Sequence, residues 1–185
     1  FVQNPRVSHE TFDAIVCPEH DGIQGHNILT TVGAIHNLSH TTLQHAKQSS
    51  QQQFSLFKKN ILVILLGGSN RAYTLTPKHC QTLIISLKKI VRDYPGAVLI
   101  STSRRTGIQN TQQIQQQLKS FNNAVLVDQD SDLSYLSMLA HADHILVSND
   151  SISMVSEACA TGKPVYLMRL PEYKEGKRKN AQFFN

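Results

Sequence analysis

Ile61-Leu62-Val63-Ile64-Leu65-Leu66, running directly into Gly67-Gly68-Ser69-Asn70, decides how this chain folds. Six aliphatic residues in a row leave no side for water, so the run reads as a strand buried on both faces, as in parallel sheets. Downstream the pattern becomes regular. Thr76-Pro77 opens a helix, with Thr as N-cap and Pro at the first helical position, where its missing N–H does no harm. Leu83, Ile84, Leu87, Ile90 and Val91 then recur at helical spacing, with Lys88, Lys89 and Arg92 off that face, until Pro95-Gly96 stops the helix. Strands are expected at 97–101, 124–127, 144–147 and 165–168, and helices at 109–120, 132–141 and 151–161. Gly162 closes the last helix, with Pro164 beyond. Five short apolar strands alternating with helices specify a doubly wound parallel α/β sheet of the Rossmann-like kind. Its right-handed crossovers bring the loops that follow the strands to one edge, where ligands bind.

Upstream of residue 60 the pattern is weaker. Residues 12–17 read as a short buried strand entering the loop Pro18-Glu19-His20-Asp21-Gly22, and a second extended stretch follows around 27–31. From 39 to 53 the chain is polar and Gln-rich, ending in Gln51-Gln52-Gln53. This reads as a boundary or linker, although Gln also suits a polar helix. The chain opens on Phe1-Val2-Gln3-Asn4-Pro5 without Met or a basic leader and closes on Phe183-Phe184-Asn185, so both ends read as cuts in a longer polypeptide.

Composition narrows the function classes. The 185 residues are the size of one domain or one domain plus an appendage, and 40% hydrophobic content supports a real core. The longest aliphatic run is far short of the roughly 20 residues a membrane helix needs. Cys17, Cys80 and Cys159 are scattered and odd in number, which makes neither a disulfide framework nor a CxxC metal site and points to a reducing, cytoplasmic setting. The net charge of +5, from 18 basic and 13 acidic residues, suits anionic partners: nucleotides, nucleic acid, or acidic lipid heads contacted peripherally at a membrane surface. Phe and Tyr are scattered and no basic run exceeds Lys177-Arg178-Lys179, so nucleic acid is set aside. The segment 171–180 around those cations reads as a solvated charged tail or a basic flap.

Three loops at carboxyl ends of strands carry the chemistry. Gly67, Gly68, Ser69 and Asn70, with Arg71, offer backbone amides that glycine lets an anion approach. No GK[ST] or GxGxxG follows, and the same glycines suit a tight strand-to-helix turn with positive φ. Ser101-Thr102-Ser103-Arg104-Arg105-Thr106-Gly107 places three hydroxyls and two guanidinium forks where a diphosphate fits, or forms a solvated basic turn. As surface residues, Arg104 and Arg105 are expected to matter for binding and hardly for stability. In the third loop Asn149, Asp150, Ser151 and Ser153 open a helix whose N–H groups and dipole attract phosphate, while Asp150 or Ser151 also serves as an ordinary cap. Glu157, two turns in, can accept both hydroxyls of a ribose. In the first segment His20 with Glu19 and Asp21 makes a His–carboxylate pair suited to a general base, though an exposed polar loop reads the same. His36, His40, His45, His141 and His144 form no H-x₃-H plus carboxylate set, so neither metal nor cofactor is expected.

Ser148 to Val165 resembles the sugar-nucleotide motif of GT-B glycosyltransferases, nearest to the N-acetylglucosaminyltransferase that completes the lipid-linked peptidoglycan precursor. There a Ser/Gly-rich turn and Thr-Val-Ser-Glu lead to Gly-x-Pro before the next strand. That resemblance implies that Gly67-Gly68-Ser69 is a donor-diphosphate loop, that Ser151 and Ser153 lie near the diphosphate, and that Glu157 binds ribose hydroxyls. Ser151 departs from the pattern, standing where those enzymes have glycine.

A second resemblance covers nearly the whole chain. Gln3-Asn4-Pro5-Arg6, Pro18-Glu19-His20-Asp21, Leu66-Gly67-Gly68, 101–106 and 150–158 are similar, in order, to the family of the plant mitochondrial-fission protein Elongated Mitochondria and its uncharacterised bacterial relatives. The plant member is regarded as an adaptor for a dynamin-related protein. Together these resemblances imply the C-terminal half of a GT-B-type two-domain protein. Residues 1–55 are then the remnant of an N-terminal domain plus linker, and 56–185 a domain binding a nucleoside-diphosphate sugar. Metal-independent glycosyl transfer is the expected reaction, with His20 and Asp21 as the catalytic pair. The alternatives are a non-catalytic adaptor and a sugar-nucleotide epimerase, which adds carboxylates across a similar cleft.

Overall fold

The computed structural model describes residues 1–57, 60–127 and 131–172. In chain order, β1 (Ile15–Pro18) and β2 (Ile28–Thr31) form a parallel pair of their own. Helices α1 (His40–Ser49) and α2 (Gln51–Phe54) lead to β3 (Ile61–Leu66) and α3 (Pro77–Asp93), then β4 (Ala97–Thr102) and α4 (Ile108–Leu118). β5 (Ala124–Val127), α5 (Tyr135–His141), β6 (His144–Ser148), α6 (Ile152–Ala160) and β7 (Val165–Met168) follow. The second sheet has five strands in the order β5-β4-β3-β6-β7, all parallel.

β3 lies at the centre and is buried along its length, as its unbroken aliphatic run requires. Alternate side chains face opposite layers. Leu62, Ile64 and Leu66 pack with Cys80, Leu83, Ile84, Leu87 and Val91 of α3 and with Ile114 and Leu118 of α4. Ile61, Val63 and Leu65 pack with Phe54, with Met138 and Leu139 of α5, and with Val155 and Ala158 of α6. α3 starts where Thr76 Oγ1 accepts from the His79 amide at 3.3 Å, with Pro77 at the first position.

Where the elements depart from the sequence reading, a side chain explains each shift. The strand expected from residue 12 begins at Ile15, because Asn27 Nδ2 donates to the carbonyls of His9 (2.9 Å) and Phe12 (2.7 Å) and so holds the chain there outside the ladder. α5 starts at Tyr135 rather than 132, since Ser134 Oγ caps the Ser137 amide at 3.0 Å. The Gln-rich stretch, read as a boundary or a polar helix, is helical, with α1 against α5 and Phe54 of α2 in the core beneath β3. Ala46, Ser50 and Phe54 supply its buried face, and Phe54 stacks on His141 with ring centroids 3.9 Å apart. Glu172 bridges Tyr73, and the cationic tail beyond it lies outside the described residues. Among the described residues no helix is long and apolar enough to cross a membrane.

Candidate functional site

The three polar loops meet at the carboxyl edge of β3, β4 and β6, and the side chain of Asp150 joins them. Asp150 is 3% exposed. Its Oδ2 accepts from the Gly68 amide at 3.0 Å and from Arg105 Nη2 at 2.8 Å, and its Oδ1 accepts from Ser148 Oγ at 2.6 Å. Asn70 Nδ2 donates to the Asp150 carbonyl at 2.9 Å. A buried carboxylate is tolerated only when so paired.

The glycines serve this closure. Neither Gly67 nor Gly68 has positive φ. A Cβ on Gly67 would strike the Asp150 carboxylate, and one on Gly68 would strike the Arg105 carbonyl. The amides from 67 to 70, expected to be bare, are all engaged: Gly67 N donates to Ser148 Oγ (2.7 Å), Gly68 N to Asp150, Ser69 N to the Arg105 carbonyl (3.2 Å) and Asn70 N to the Tyr73 carbonyl (2.9 Å). Ser69 Oγ accepts from the Leu75 amide, and Asn70 Oδ1 from those of Ala72 and Tyr73. Asn149 is likewise turned inward, its Oδ1 accepting from the Leu170 amide at 2.8 Å. Arg105, though its side chain is 41% exposed, thus has a structural role that its reading as a surface cation missed; Arg104 is exposed and makes no such bond among the described residues.

Beside this knot lies an open crevice of about 600 Å³, lined by Ser101, Thr102, Ser103 and Arg104, by Gly107, Ile108 and Thr111 at the start of α4, and by Tyr135. α4 opens at Gly107 with no side-chain cap, and Gly107, Ile108 and Thr111 of this uncapped start lie on the crevice's border. Glu157, half-buried on α6, reaches the crevice wall: Tyr135 Oη donates to its Oε2 at 2.8 Å. Burial, and then the hydrogen bond to Glu157, push the Tyr135 phenol well above its ordinary range, so it stays a proton donor.

A second crevice, of about 410 Å³, brings His20 and Asp21 together with Arg6 and with Ile152 and Ser153 at the start of α6. His20 and Asp21 sit in a single 3-10 turn, Glu19–Asp21. The Ala34 amide donates to Ser156 Oγ at 2.9 Å, fixing the first segment to α6. Ser151 caps α6 through the Met154 amide at 3.5 Å. The proposed site residues therefore fall into three groups, with Ser151 apart from them as the α6 cap: the closed knot (67–70, 105, 149 and 150), the open crevice (103 and 104, with 157 through Tyr135) and the His20 crevice (20, 21 and 153). No group of three His, Cys, Asp or Glu side chains among the described residues is placed to hold a metal ion. Tyr135 was not foreseen, because it meets Glu157 only through the fold.

A family profile described as Mitochondrial fission ELM1 matches residues 1–185. The Arabidopsis thaliana mitochondrial fission protein ELM1 is 26% identical over 191 residues, covering 90% of this chain and 44% of that protein. A Rickettsia prowazekii (strain Madrid E) protein, RP120, is 26% identical over 216 residues, covering 96% and 59%. The chain thus spans about half the length of the curated relatives it matches. Among solved structures, UDP-GlcNAc 2-epimerase from Neisseria meningitidis bound to UDP-GlcNAc superposes with a TM-score of 0.58 at 16% identity, over 85% of this chain and 44% of that one. At that identity the likeness is one of fold, and the five-stranded unit has the Rossmann-like fold of GT-B-type proteins.

Proposed function

This chain belongs to the mitochondrial fission ELM1 family, and from that premise and the crevice at Glu157 we propose that it binds a nucleoside-diphosphate sugar at the carboxyl edge of its five-stranded sheet. The observation that carries the reading is Glu157 itself. It is an acid beside the crevice, held by the neutral phenol of the crevice-lining Tyr135, and neither of the two ion pairs among the described residues claims it. A carboxylate offers about four lone-pair directions, and Tyr135 uses one. The rest are left for vicinal ribose hydroxyls. The diphosphate then lies against the uncapped start of α4, the hydroxyls of Ser101 to Ser103, and Arg104. These donors stabilise the leaving diphosphate in glycosyl transfer without a metal ion. His20, with Asp21 beside it, takes the acceptor hydroxyl's proton.

The same reading makes residues 1–55 the remnant of a first domain with its linker, and 56–185 the donor-binding domain. Leu29 of β2 and Val32 just beyond are 63% and 83% exposed, and parallel strands are ordinarily covered on both faces, which supports a further layer there. A cytoplasmic setting is supported by three free cysteines. Peripheral membrane contact is supported by the net charge of +5. A non-catalytic adaptor is the second reading, favoured by the closed amides of 67–70, which then serve architecture alone.

A thermal-shift screen of UDP, GDP, ADP and their sugar conjugates separates the two. A true ligand at a hundredfold its Kd adds about 2.7 kcal/mol of apparent stability. Absence of any shift across the set supports the adaptor.

A further inference from the structure

Tyr135 is the first residue of α5, placed there by the Ser134 cap, and its ring lines the crevice beside Ser103 and Arg104. Its hydroxyl spans two helices to reach Glu157 Oε2 at 2.8 Å. Glu157 makes no other hydrogen bond or ion pair among the described residues. A glutamate in such a place otherwise samples several rotamers, and a ligand that needs one of them must overcome that entropy. The phenol removes the freedom in advance, and a phenol stays protonated throughout the neutral range, so it remains a donor there.

We propose that Tyr135 is a positioning residue: it fixes the Glu157 carboxylate so that both hydroxyls of a ribose are gripped, which makes the crevice selective for ribonucleoside diphosphates over their 2′-deoxy forms. This rests on the reading of the crevice as a nucleoside-diphosphate site. The 2′-hydroxyl donates to a charged acceptor, and removing it forfeits one charge-assisted hydrogen bond. Pyrophosphate makes no use of the pair, so it reports on the phosphate end alone.

The experiment is calorimetric titration of the protein and of Tyr135→Phe with UDP, GDP and ADP, each against its 2′-deoxy form, with pyrophosphate as reference. Tyr135→Phe keeps the ring and removes only the hydroxyl. The wild type is expected to prefer the ribose form by about tenfold, the order of one hydrogen bond to a charged group. In Tyr135→Phe the preference is expected to shrink severalfold, with pyrophosphate affinity unchanged. If Tyr135→Phe does not fold, Tyr135→Leu serves instead, since it too removes the hydroxyl and leaves Glu157 whole. It should show the same loss of ribose preference. A wild type that binds nucleoside diphosphates without preferring ribose, or a variant that keeps the full preference, overturns the inference and leaves nucleoside-diphosphate binding standing. Failure of every nucleoside diphosphate to bind overturns both.

Discussion

Two neighbouring regions at the carboxyl edge of the sheet are built from the same residue types, yet their polar atoms face different ways. In the knot around Asp150, glycine amides, serine hydroxyls and a guanidinium all point at one another, and the acid at the centre is buried. In the crevice beside it, hydroxyls, a guanidinium, the start of α4 and Tyr135, which is bonded to Glu157, border about 600 Å³ of open space. Glycine, serine, arginine and acid make either a fastening or the border of an open crevice. Only the partners they reach separate the two. Arg104 and Arg105 show this at a single peptide bond, one exposed on the crevice and the other bonded to the buried carboxylate.

The contrast predicts unequal losses. Asp150→Ala removes the group that ties three loops, leaving the Gly68 amide, Ser148 and Arg105 without their acceptor. Unfolding by denaturant should show a loss of about 2–6 kcal/mol, about 1–3 kcal/mol for each of the buried Gly68 amide and Ser148 hydroxyl left unsatisfied. A loss below about 0.5 kcal/mol would place Asp150 among ordinary surface residues. Arg105→Ala should cost about 1–3 kcal/mol, as expected when a buried acceptor loses one of its donors. Arg104→Ala should leave stability within about 0.5 kcal/mol and instead weaken diphosphate binding by about 1.5–3 kcal/mol. Equal stability losses for the two arginines would erase the distinction between knot and crevice.

Why the sequence showed one region better than the other follows from range. α3 was legible because its Thr76 cap, Pro77 and apolar spacing act within a few residues. β3 was legible because six aliphatic residues admit no other placement. The loops were correctly brought to one edge, since parallel topology leaves no alternative. Whether their amides were free was not legible, because Gly67 and Gly68 meet Ser148 and Asp150 more than eighty residues away. The Tyr135–Glu157 bond joins two helices 22 residues apart and leaves no local motif. α1 and α2 were hidden by glutamines on their solvent side, with only Ala46, Ser50 and Phe54 marking the buried one.

The smallest effect concerns pH, and it serves to keep stability separate from binding. Burial holds the His141 imidazole below its ordinary value of 6.5, aided by the charge of Lys47 and opposed by a hydrogen bond to the Lys47 carbonyl. The unfolded chain therefore binds a proton first as pH falls. His141's contribution is fully present above 6.5 and is lost as pH drops from there toward the lowered value. Denaturant unfolding at about pH 5 and about pH 7.5 should show lower stability at the acid end, and His141→Phe should lessen the difference. An unchanged difference in the variant would assign it to other groups, those of the knot included.

The claim at the centre is that Glu157 belongs to a ribose site and not to the protein's own fastening. Its direct test is calorimetric affinity of wild type and Glu157→Gln for UDP, GDP and ADP, set against pyrophosphate. Glu157→Gln is expected to weaken the tightest-binding nucleoside diphosphate by about 1.5–3 kcal/mol, the loss of charged hydrogen bonds to ribose. Pyrophosphate, which has no ribose, should bind both proteins alike. Equal losses for the two ligands, or no loss for either, would contradict it.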